Sequence, residues 1–165
     1  MLRAAICGAG HWGTRLIESV QGKTDKIRFV TAVTRDPAGK RALADRFGLF
    51  LTTSYADVLA DPNIDAVVVG LDPTAPSVRS LEESKLRPGH DITDPKSTVH
   101  LMPPIVNRND KPVVGIVDGG ELYDAMSAGL MDQGVCVFRN SARGTRALVR
   151  YIEARLYADA LRNRQ

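Results

Sequence analysis

Apolar residues fall along this chain in short blocks of two kinds. Continuous or alternating blocks mark strands near Leu2 to Cys7, Arg28 to Thr34, Phe50 to Thr52, Ala66 to Val69, Val113 to Val117 and Val135 to Phe138. Between them the spacing turns helical. Leu16, Ile17 and Val20 share one face, Leu122, Ala125, Met126 and Leu130 another, and Leu148, Tyr151, Ile152 and Leu156 a third, so the last two sets read as core stripes. Asn140 or Ser141 caps the last helix, and Gly134 ends the preceding one. Strands alternating with helices predict a three-layer α/β/α doubly wound parallel sheet, with expected strand order 3-2-1-4-5-6. The stretch from Leu71 to Lys111 breaks the rhythm, punctuated by Pro73, Pro76, Pro88, Pro95, Pro103 and Pro104. It predicts a short helix near Ser77 to Glu83, a loose Lys85 to Asp94 and a helical turn near Lys96 to Leu101, overhanging the crevice of the sheet.

The chemistry-bearing segment is Ile6-Cys7-Gly8-Ala9-Gly10-His11-Trp12-Gly13. A strand runs into G-x-G-x-x-G and then a helix expected to begin near Thr14, the order that holds a dinucleotide pyrophosphate in a Rossmann-type fold. Gly8 permits the turn, Gly10 leaves room for phosphates, and Gly13 lets the helix approach the strand. His11 and Trp12 line the same pocket. An acidic residue holding the ribose 2′-OH of NAD is expected at the end of the second strand, but the sequence there is Val33-Thr34-Arg35-Asp36-Pro37. A hydroxyl and a guanidinium suit a 2′-phosphate, so Thr34 and Arg35 favour NADP over NAD. Asp36 would serve NAD if the strand ran longer, but it reads better as a cap before Pro37.

The segments Gly8-Ala9-Gly10-His11-Trp12-Gly13, Ala32 to Pro37, Ala44 to Gly48, Thr53 to Pro62 and Ile64 to Val69 together resemble the nucleotide-binding domain of the glucose-fructose oxidoreductase and inositol dehydrogenase family. The resemblance covers roughly residues 1–70. It implies NAD(P) binding. In that family the fifth strand ends in Glu-Lys-Pro, whose lysine serves hydride transfer, and a substrate domain follows; the tripeptide does not occur here. Residues 61–165 are similar to a flavodoxin-like domain of the NDP-forming acyl-CoA synthetases, relatives of succinyl-CoA synthetase. Lys111 to Gly120, Gly134 to Arg139 and Arg146 to Tyr151 carry that likeness. One domain over 1–165 is expected, a Rossmann-like half over 1–70 joined within 61–70 to a flavodoxin-like half over 71–165.

Two readings follow. The first is an engineered chimera without catalytic activity, which keeps at most dinucleotide binding at Gly8, Gly10, His11, Trp12, Gly13, Thr34 and Arg35. The alternative is an NADP-dependent oxidoreductase fragment acting on a sugar or polyol, for which Asp72 or Asp118 would have to serve as general acid. No catalytic residue or metal ligand is assigned. His90 and His100 read as surface residues, and Asp118-Gly119-Gly120 as a turn that Asp118 helps to cap.

Composition narrows the partners. With 44% hydrophobic and 25% charged residues and a net charge of +3, the basic residues are interspersed with acidic ones, so nucleic acid and membrane are not expected as partners. Cys7 and Cys136 read as buried, reduced strand residues, and no apolar run suits a membrane span, which points to a cytoplasmic monomer or homodimer.

Overall fold

The computed structural model describes residues 1–75, 78–82 and 89–163. Its sheet has six parallel strands in the order β3-β2-β1-β4-β5-β6. These are β1 (Leu2–Cys7), β2 (Ile27–Val33), β3 (Phe50–Thr52), β4 (Ala66–Leu71), β5 (Val113–Val117) and β6 (Cys136–Phe138). The helices are α1 (His11–Val20), α2 (Arg41–Phe47), α3 (Tyr55–Ala60), α4 (Thr98–Asn107), α5 (Asp124–Asp132) and α6 (Ser141–Arg162).

The central strands β1 and β4 are apolar on both sides because both of their faces are covered. On one face Ala4 and Ile6 of β1 and Val68 of β4 pack with Leu16 and Ile17 of α1, Ala44 of α2 and Leu148 and Ile152 of α6. On the other, Ala5, Cys7 and Val67 meet Val58 of α3, Val99 and Met102 of α4, and Met126 and Leu130 of α5. Each right-handed crossover leaves its helix on one side, and the reversal of direction between β1 and β4 divides the helices between two faces. Cys7 pairs in register with Val33 on one side and Val69 on the other, so the chain leaves β1 at the switch point.

The segment between β4 and β5 departs most from expectation. The predicted helix near Ser77 to Glu83 has both ends outside the described residues, but Leu81 forms an isolated bridge with Asp91, and Arg79 has φ 50°. Residues 85–88 of the loose stretch also lie outside them; the rest, from Gly89 to Asp94, is tied to Leu81, which donates to His90 O and accepts from Ile92 N–H. His90 is buried rather than on the surface, whereas His100 is exposed. The helical turn near Lys96 is the ten-residue α4, capped by Ser97 and continuing through Pro103 and Pro104. A proline has no N–H to offer the carbonyl four residues back. Gln133 Nε2 donates to that carbonyl, on Val99, at 2.9 Å, and to Gly129 O at 2.8 Å.

Two other expectations change. In α6, Leu148 and Ile152 are buried, but Tyr151 and Leu156 are 49% and 65% exposed. A helix of 22 residues is about 33 Å long, more than the short strands β5 and β6 beneath it can cover. Cys136 is exposed on the edge strand β6, while Cys7 is buried; both are free thiols. Burial pushes the Cys7 thiol up to about 12 and raises that of Cys136 as well. Asn140 caps α6, its side chain accepting from Arg143 N–H at 3.1 Å, and Gly134 follows α5 with φ 85°.

Candidate functional site

The turn after β1 is built by two glycines that cannot be replaced and one that faces open space. Gly8 has φ 94°, and a Cβ there would lie 2.9 Å from the carbonyl oxygen of Gly70. A Cβ on Gly13 would lie 1.9 Å from Gly8 O, so only glycine lets α1 close onto the end of β1. A Cβ on Gly10 would meet nothing within 4 Å. Helix α1 opens at His11, earlier than the expected start near Thr14, with Gly10 as its cap residue and Gly10 O accepting from Thr14 N–H at 2.9 Å. No side chain caps this end, and its first turn holds no acidic residue. The N–H groups of His11, Trp12 and Gly13 have no carbonyl within the helix, and the helix dipole adds partial positive charge there. An anionic pyrophosphate fits this cradle of open space and free donors.

The end of β2 lies beside the turn, because Gly8 N–H donates to Val33 O at 3.1 Å. Thr34 follows directly; its N–H donates to Thr52 O at 2.9 Å, and its Oγ1 accepts from Asp36 N–H at 3.3 Å. That leaves the hydroxyl proton available to an acceptor. Arg35 is exposed. Asp36 Oδ1 accepts from Gly39 N–H at 2.9 Å, so this carboxylate is engaged by the short 3-10 turn Ala38–Lys40, although the cap residue of that turn is Pro37 and not Asp36. The structure thus brings Gly8, Gly10, His11, Trp12, Gly13, Thr34 and Arg35 to one edge of the sheet. The rings of His11 and Trp12 meet edge to face at 5.7 Å.

A groove of about 210 Å³ opens on the β4 and β5 side of the turn, walled by Trp12, Gly13, Arg15 and Leu16 of α1 and by Gly70, Leu71, Ile116 and Asp118. Sequence reasoning places the crevice where the glycine turn meets Leu71, Asp72 and Pro73; of these Leu71 lines the groove, while Arg15 and Ile116 were missed. A helix and a strand distant in sequence bring those two together, and no local pattern announces it. Of the two candidate acids, only Asp118 lines the groove; Asp72 Oδ1 is taken up by the Thr74 N–H and hydroxyl. Asp118 does not cap the following helix: neither the 3-10 turn Glu121–Tyr123 nor α5 has a side-chain cap.

Arg139 fixes the turn around Asp118. Its guanidinium donates to Val117 O, Gly119 O and Gly120 O and pairs with Asp124. The segment after β4 does not overhang this groove among the described residues. Its apolar side chains draw it to the opposite face: Pro73 is buried against the Gly119 turn, Ser80 Oγ donates to Pro73 O at 2.6 Å, and Leu81 joins the core there. Among the described residues no cluster of His, Cys, Asp and Glu could hold a metal ion, and no helix is long and apolar enough to cross a membrane.

Comparison with known proteins bears on the fold. No curated protein sequence matches the chain. Its fold resembles that of myo-inositol dehydrogenase from Corynebacterium glutamicum, with TM-score 0.51 and 21% identity over 83% of this chain and 35% of the other. It also resembles biliverdin reductase from Synechocystis in complex with biliverdin and NADP+, with TM-score 0.50 and 17% identity over 82% and 36%. An oxidoreductase from Agrobacterium radiobacter in complex with NAD+, L-tartaric acid and magnesium gives TM-score 0.51 and 15% identity over 82% and 34%. The chain spans about a third of the length of these structures. The model of the GFO/IDH/MocA family, described as an oxidoreductase family with an NAD-binding Rossmann fold, matches residues 2–91, beyond the end of β4. That match covers more than half of the 165 residues, and the chain belongs to this oxidoreductase family.

Proposed function

We propose that this chain is the cofactor-binding part of an NADP-dependent oxidoreductase. The observation that carries the reading is the uncapped start of α1 behind Gly10, where space, free N–H donors and dipole converge on one place. The Gly10, His11, Trp12 and Gly13 backbone would hold the pyrophosphate, with Gly8 and Gly13 fixing the turn. Thr34 and Arg35 would take the 2′-phosphate of the adenosine ribose. Asp36, the nearby carboxylate that NAD would need, accepts from Gly39 N–H at one oxygen, which holds it toward the Ala38–Lys40 turn.

When bound, the cofactor supplies hydride transfer. The chain's own contribution is position: apolar Trp12, Leu71 and Ile116 wall the groove where the second nucleoside would lie, and Asp118 is the group there able to take or give a proton. A sugar or polyol substrate is the class implied by the family resemblance. Family membership favours the oxidoreductase reading over an inactive engineered chimera, which rests on the flavodoxin-like resemblance of 61–165 and on the missing Glu-Lys-Pro. The family match running to residue 91 crosses the proposed 61–70 junction and supports the same preference.

Trp12 is the chain's only tryptophan and stands on the turn itself, 47% exposed. Titration with NADPH should therefore quench its fluorescence and saturate. A cooperatively folded sample whose Trp12 emission is indifferent to NADPH and NADP+ would overturn the reading.

A further inference from the structure

The groove beside the glycine turn contains an acidic side chain that forms no ion pair among the described residues. Asp118, just past the end of β5, is the only carboxylate among its lining residues. Arg139 reaches the backbone on both sides of Asp118. It donates to the carbonyls of Val117, Gly119 and Gly120 and to the Asp124 carboxylate. The one cation lining the groove, Arg15, belongs to α1, the helix whose start would hold the doubly negative pyrophosphate.

The placement of Asp118 relative to a bound dinucleotide follows from topology. With the pyrophosphate at the switch point between β1 and β4, the two nucleosides extend to opposite sides along the edge of the sheet. Arg35, at the end of β2, takes the ribose carrying the 2′-phosphate, so the nicotinamide lies toward β4 and β5, in the groove of about 210 Å³. The nicotinamide ring is cationic in NADP+ and neutral in NADPH. A fixed carboxylate beside it attracts the first and has no net charge to attract in the second.

We propose that Asp118 makes this site discriminate the redox state of its cofactor, binding NADP+ in preference to NADPH. The inference rests on the NADP-binding reading above. Stabilising the oxidised form makes the bound couple more reducing, which favours hydride donation from bound NADPH to a carbonyl over hydride acceptance from an alcohol. A lysine at the end of β5, as in the family's Glu-Lys-Pro, would act in the opposite sense.

The test is titration of the full chain with NADP+ and, separately, with NADPH, followed by Trp12 fluorescence, in wild type and in Asp118→Asn. The ratio of the two dissociation constants should move about tenfold toward NADPH in the variant, the size of one screened charge pair. Asp72→Asn changes the net charge equally, but its carboxylate is turned to Thr74, and the ratio should stay at the wild-type value. Asp118→Ser supplies the same comparison should the asparagine variant fold poorly. Saturable binding of both cofactors with an unchanged ratio in the Asp118 variants overturns the inference and leaves cofactor binding standing. No saturable binding of either cofactor to wild type overturns both.

Discussion

Two glycine-rich turns leave the same edge of this sheet, and they differ. The turn after β1 is open: Gly10 faces empty space, and α1 begins with neither a cap nor a first-turn carboxylate. The turn after β5 is filled at Gly119, although Gly120 also faces open space. A Cβ on Gly119 would meet the Tyr123 ring at 2.7 Å and Pro73 at 3.2 Å, Arg139 covers the carbonyls of Gly119 and Gly120, and Glu121 and Asp124 place negative charge where helix turns begin. Both sequences offer glycines between a strand and a helix. What separates them is which backbone groups are left without partners, and that depends on residues distant in sequence such as Arg139 and Pro73.

Substitutions should separate the two turns, and the largest effect is expected at Gly13. Gly13→Ala forces a methyl group to within 1.9 Å of Gly8 O, so a loss of about 3 kcal/mol or more is expected, read as a fall in the denaturation midpoint. A midpoint within error of wild type would contradict the close approach of α1 to β1. Arg139→Met should cost about 2 kcal/mol by releasing its partly buried bonds to the β5 turn, and it should leave NADPH affinity nearly unchanged if that turn is purely structural.

Arg35→Asp should shift the preference between NADPH and NADH by tenfold or more, since a guanidinium that bonds a phosphate is replaced by a group that repels it. Equal shifts for the two cofactors would show that Arg35 does not read the 2′-phosphate. Gly10→Ala is expected to change stability by less than about 1 kcal/mol, because its Cβ enters open space, yet to weaken binding where the methyl meets the pyrophosphate. The smallest effect concerns the thiols. A disulfide reagent should modify Cys136 in the native protein and both cysteines only after unfolding, because Cys7 is buried and its thiol is pushed up to about 12. Rapid labelling of both would mean that the core around β1 opens readily.

Much of the fold was legible because it is written in local patterns. Short apolar runs placed all six strands, and alternation with helices is enough to imply the strand order, since crossover handedness leaves few choices. The glycine turn was legible for a related reason: its requirements are steric and lie within Gly8 to Gly13. What escaped depends on contacts at long range. The prolines in α4 looked like breaks until Gln133 supplied the donor for Val99 O. Leu156 has the periodicity of a core residue but extends beyond the strands that would cover it. His90 is buried by its place in the Leu81 bridge, and Cys136 is exposed because β6 is an edge; neither fact has a local signature. The groove residues Arg15 and Ile116 come from two elements far apart in sequence.

The central claim is that the open turn is a working dinucleotide site that reads the 2′-phosphate. Calorimetric titration of the folded protein with NADPH and, separately, with NADH tests it most directly. Saturable binding that is tighter for NADPH is the predicted result. No binding heat with either cofactor, measured at two temperatures on a sample that unfolds cooperatively, would contradict it and leave the glycine turn as architecture alone.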